Sequence, residues 1–105
     1  MAVEIFDLKG MEVHPLEERE KNVLYRSRNF SARIIPLPPG GRIPPCEMAS
    51  NVVFAVISGK VTVQVNGEEA VLEEGWCLIT EPAVLSMRSD GGARVLGIQV
   101  APREV

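Results

Sequence analysis

Glycine and proline divide this sequence into pieces about one β-strand long. Nine Gly and eight Pro are spread through 105 residues, a density that suits many short strands joined by tight turns. The strongest local signal is Asn66-Gly67, because both residues tolerate the positive φ of a type I′ hairpin turn. Before it, Lys60 to Val65 alternates, with Val61, Val63 and Val65 on one face and Thr62 and Gln64 on the other. After it, Glu68 to Leu72 returns as the partner strand. Val52 to Ile57 is a continuous apolar strand closed by Ser58-Gly59, and Trp76 to Thr80, Ala83 to Arg88 and Ala93 to Val100 are strands separated by further turn residues. Nearer the N-terminus, Val3 to Phe6, Val23 to Ser27 and Phe30 to Ile35 read as strands. Pro15 to Lys21 reads equally as one or two helical turns or as a solvated charged loop. The segment Pro36 to Pro45 holds five prolines and few backbone donors, so it is an ordered loop or an edge segment and never a central strand. Nine or ten short strands at this spacing predict an all-β sandwich or barrel.

A chain of this length forms one domain, 1–105, with the barrel part at about 30–100. The net charge of −3 and the absence of a long basic stretch argue against nucleic acid as a partner. Apolar runs reach only about six residues, as in Val52 to Ile57, against the roughly 20 needed to span a bilayer, so no membrane partner is expected. The start, Met1-Ala2-Val3-Glu4, lacks the basic and apolar regions of a signal peptide, which makes the cytoplasm the expected location. Cys46 and Cys77 are expected as free thiols there.

From Gly40 onward the sequence resembles the cupin superfamily. Pro39-Gly40-Gly41-Arg42-Ile43-Pro44 and the ending Val56-Ile57-Ser58-Gly59-Lys60-Val61 are similar to the two ends of the first cupin motif. Gly75 opens the second motif, and the 15 residues between Gly59 and Gly75 hold the Asn66-Gly67 hairpin. The resemblance covers about Ile34 to Val100 and implies an antiparallel β-barrel of jelly-roll (double-stranded β-helix) type. In the family the first motif carries His-x-His and a glutamate, and the second a further histidine, as metal ligands. Here those positions fall on Cys46, Met48, Val52 and Ser86. His14, the only histidine, reads as an exposed loop residue.

The replacements do not suit a hard or borderline cation. Val52 offers no ligand atom, Ser86 a neutral hydroxyl and Met48 a thioether; only Cys46, as thiolate, is a strong ligand. No cofactor is therefore expected and no catalytic residue is assigned. Cys46 and Met48, with Met87 nearby, form the one sulfur set that would select Cu(I), and packing as core hydrophobes is the preferred reading of them. If Val52 points into the barrel as its family counterpart does, Phe54 and Val56 follow it. Val53, Ala55 and Ile57 then face outward and need a cover, which is either a second subunit in a homodimer or the chain's own N-terminal strands. The same phasing puts Val84, Ser86 and Arg88 inside, where Arg88 would meet an anionic ligand unless it bends to solvent. Trp76 reads as core or interface. The expected pocket is thus lined by Cys46, Met48, Val52, Phe54, Val56, Val84, Ser86 and Arg88. Three functions are open: a metal-free cupin that binds or senses a small molecule, a metal-dependent isomerase or dioxygenase with unusual ligands, and a structural or partner-binding module with a filled barrel. The first and third are favoured because catalysis in this fold rests on the metal.

Overall fold

The computed structural model describes residues 3–101. A short 3-10 helix, Arg19–Asn22, precedes eight strands among these residues: β1 (Val23–Arg26), β2 (Phe30–Leu37), β3 (Gly41–Met48), β4 (Asn51–Val65), β5 (Glu68–Glu73), β6 (Cys77–Thr80), β7 (Ala83–Ser89) and β8 (Ala93–Val100). Every pairing is antiparallel. The sheet runs β1-β2-β8-β4-β7-β3, with β5 and β6 also paired to β4. It curls into an all-β, jelly-roll barrel.

The curl comes from β4. Its first half pairs with β8 and β6, and its second half with β5 and β7. Ser58-Gly59 is expected to end one strand, yet β4 runs on through it, with a bulge just before it at Ile57, where the register shifts between Val56 and Ser58. A bulge bends and twists a strand without ending it, which lets one strand serve two sheet layers. Gly59 has φ +80°, and a Cβ there would collide with the Gly92 carbonyl oxygen. Ser89 Oγ donates to the Lys60 carbonyl at 2.6 Å, tying the β7–β8 turn to the same bend.

The hairpin forms as its sequence predicts. Asn66 (φ 49°) and Gly67 (φ 87°) both occupy the left-handed region. Asn66 also accepts the Val84 N–H on its side-chain oxygen at 2.9 Å, and its own N–H donates to the Val84 carbonyl. The proline-rich segment does give an edge strand, β3, with a register shift across Pro44-Pro45, where a bulge removes the need for their missing donors.

Two expectations are corrected. Val3 to Phe6 is not a strand, because among the described residues it pairs with no sheet edge; Val3 and Ile5 stand exposed. With the two halves of β4 merged, the count falls to eight. The N-terminal segment instead crosses the outer surface of β2 and β8. Arg94 Nη1 holds it there by donating to the carbonyls of Leu8, Lys9 and Met11 at 2.8, 2.9 and 3.2 Å. Buried Asn22 fixes the approach to β1 by bonding both the N–H and the carbonyl of His14.

The core lies between the two layers: Ile35 and Leu37 from β2, Val52, Phe54, Val56, Val61 and Val63 from β4, Leu72, Ala83, Leu85, Met87 and Val95. Val52, Phe54 and Val56 point inward as the alternation predicts. The fold's dependence on the β4 bend gives a measurable contrast. Gly59→Ala should lower stability by about 3 kcal/mol or more, because left-handed strain adds to a backbone collision. Gly75→Ala, with φ 86° and open space around the added Cβ, should cost only about 1–2 kcal/mol. Urea denaturation of both variants checks this; equal losses would contradict it.

Candidate functional site

The inner face of the barrel carries a small cavity near the β2–β8 side, of about 70 Å³. Its walls are apolar: Ile35, Ile43, Met48, Phe54, Leu85 and Met87. Its mouth is polar, formed by Arg19, Arg33, Cys46, Ser86 and Gln99. Gly97 lines it too. This buried residue of β8 is paired with Arg33 on one side and Phe54 on the other. A Cβ on Gly97 would press on the tip of Ile35, 3.0 Å away, and touch the Phe54 ring at 3.5 Å.

The structure brings together part of the expected pocket. Cys46 and Met48 lie on the inner face of β3, opposite Leu85 and Ala83 of β7, and both line the cavity with Phe54. Cys46 and Cys77 are free and exposed thiols. Val52 and Val56 are sealed in the core and do not line the cavity.

The phasing of β7 is corrected. Ala83, Leu85, Met87 and Ser89 are buried, while Val84 and Arg88 are exposed and Ser86 is half-buried. Val84 and Arg88 therefore lie on the outer face. Arg88 donates to Glu69 Oε1 at 3.0 Å and holds that carboxyl below its ordinary range, with Gln64 helping. Both partners are half exposed, so the pair adds little stability. Ser86 reaches only the cavity edge, and its hydroxyl faces Gln64 at 3.5 Å. Trp76 is 54% exposed and so is not core.

Sequence reasoning missed Arg19, Arg33, Ile35, Ile43, Leu85, Gly97 and Gln99. Arg33 is the most consequential. It sits on the inner face of β2, two residues before buried Ile35. Burial pulls its pKa below the usual arginine value, and the charge of Arg19 acts in the same direction; Glu20 and Cys46 oppose them. An arginine stays charged under such shifts. Among the described residues neither Arg33 nor Arg19 forms an ion pair.

The residues at the family's metal positions do not fit a metal. Val52 has no donor and is wholly buried, Ser86 turns to Gln64, and Met48 offers only a thioether. Among the described residues no three of His, Cys, Asp and Glu come together in a metal-holding group. No helix among them is long and apolar enough to cross a membrane.

No protein-family model matches the sequence, and no curated protein matches it. Solved structures do. The protein TT1209 from Thermus thermophilus is 26% identical with a TM-score of 0.81, covering 94% of this chain and 98% of that one. An RmlC-like cupin from Shewanella frigidimarina is 22% identical with a TM-score of 0.70, covering 78% of this chain and 75% of its own. The cupin domain of Cnp3 from Schizosaccharomyces pombe is 19% identical with a TM-score of 0.71, covering 76% of this chain and 62% of that one. Strand order, the bent β4 and these likenesses agree that the chain has the cupin fold.

Proposed function

We propose that this chain is a metal-free cupin of the cytoplasm that binds or senses a small molecule in its barrel cavity. The observation that carries this reading is the cavity itself. It lies on the inner face of the barrel, lined by Gly97 and by Cys46 and Met48, the residues at two positions where the resembling family carries ligands. A barrel serving only as a scaffold would gain by filling this space, since an empty volume forfeits dispersion contacts. The volume of about 70 Å³ is roughly half that of the engineered apolar cavity, of about 150 Å³, that takes up benzene. The occupant is therefore small, or only its tail enters.

A second copy of the chain is the proposed cover for the outer face of the β2-β8-β4-β6 layer. Tyr25, Ala32, Ile98, Val53 and Ile79 form one continuous cross-strand row there. The N-terminal segment covers only part of this surface: Ile34 is buried, but Ile79 remains 73% exposed. Apolar surface continuous across five strands favours association.

Two measurements test these readings. With methyl-labelled methionine, butyramide, butan-1-ol or butyrate should shift the Met48 and Met87 methyl resonances and leave Met11 unmoved; unmoved Met48 and Met87 signals with all three probes would end the cavity reading. In sedimentation equilibrium the chain should run as a dimer and Ile79→Glu as a folded monomer. A wild-type monomer at about 100 μM, weaker than the association expected of a specific homodimer face, would rule out the pairing.

A further inference from the structure

The cavity mouth carries more positive charge than its surroundings can balance. A polar cleft of about 180 Å³ adjoins the cavity, and the two share Arg19, Arg33 and Gln99 in their walls. The cleft adds Arg26 and Glu20. Glu20 is already engaged: Arg26 donates to both of its carboxylate oxygens, at 3.1 and 3.4 Å. Two guanidinium groups, Arg19 and Arg33, thus converge on one opening without an acid partner among the described residues. This happens in a chain whose net charge is −3, so the arginines are not part of a generally basic surface.

Burial and the neighbouring Arg19 both disfavour the charge on Arg33. It is half-buried on the inner face of a strand, beside a second cation, and no hydrogen bond from its side chain is satisfied among the described residues. Its nitrogens keep some access to solvent, since no wholly buried side-chain nitrogen lacks a partner. A partly dehydrated guanidinium presents a planar fork of donors that fits a carboxylate in two parallel bonds. Behind it the wall turns apolar at once, with Phe54, Met48, Met87 and Leu85. The cross-strand neighbour of Arg33 is Gly97, and both line the cavity.

Resting on the reading of the cavity as a binding site, we propose that its ligand is a small organic carboxylate, with its anionic end between Arg33 and Arg19 and a short apolar tail in the cavity. The tail excludes free inorganic phosphate as the preferred occupant, because phosphate would leave the apolar walls unused. The anionic head excludes a neutral apolar molecule as the preferred occupant, because it would leave both arginines unpaired.

The test compares butyrate, butyramide and inorganic phosphate on the full chain, followed by the Met48 and Met87 methyl resonances. Butyrate should bind at least about tenfold more tightly than butyramide, the difference expected of charge-assisted hydrogen bonds. Its affinity should fall as salt is raised. Arg33→Gln should abolish the preference for butyrate over butyramide. Arg19→Gln, at an exposed position on the 3-10 helix, should reduce it and guards against a folding defect in the first variant. Equal binding of butyrate and butyramide, or a preference that survives both substitutions, would overturn the carboxylate while leaving the cavity reading intact. Phosphate binding as tightly as butyrate would overturn the apolar tail. Silence from every probe would overturn the cavity reading and this proposal together.

Discussion

The structure depends on one strand that belongs to two sheet layers. β4 is 15 residues long and supplies partners to β5, β6, β7 and β8. Its bend at Ser58-Gly59 rests against the Gly92 carbonyl and is tied by Ser89 to Lys60. If the bend straightened, the two halves could not face each other, and Val52, Phe54 and Val56 would lose their partners Val61, Val63 and Leu72. Register matters as much as curvature, because a slip of one residue exchanges the inner and outer faces.

The interior set by that strand is apolar, and among the described residues no three of His, Cys, Asp and Glu come together there to hold a metal. Valine at position 52 packs where a carboxylate would coordinate, and sulfur from Cys46 and Met48 lines the space where imidazoles would stand. Sulfur side chains are polarizable and tolerate an apolar setting without the desolvation cost of imidazolium or carboxylate. A small apolar cavity is present, with Arg19 and Arg33 at its mouth and no ion pair to either among the described residues.

Much of this was legible where local chemistry decides structure. Asn66-Gly67 fixes its own turn, and the prolines of β3 exclude a central position whatever lies around them. The inward phase of Val52, Phe54 and Val56 also followed from alternation. The phase of β7 was legible too, since Ala83, Leu85 and Met87 form the wholly apolar set against Val84, Ser86 and Arg88; placing the worn second motif on Ser86 shifted it by one residue. The merging of β4 was not legible, because Ser58-Gly59 reads the same as a turn or a bulge until its neighbours are known. Arg33 was hidden for a similar reason. In Phe30 to Leu37 both alternating sets contain large apolar residues, so only pairing with Gly97 shows which side the arginine takes.

The account stands on a barrel interior that holds an organic ligand in place of a metal. Elemental analysis by mass spectrometry, on untagged protein purified without chelator and with its thiols reduced, measures this directly. The account predicts less than about a tenth of an equivalent of any transition metal, as expected where one thiolate is the only strong ligand. Close to one equivalent of copper or another metal, lost on Cys46→Ser, would contradict it and make the sulfur residues the functional centre.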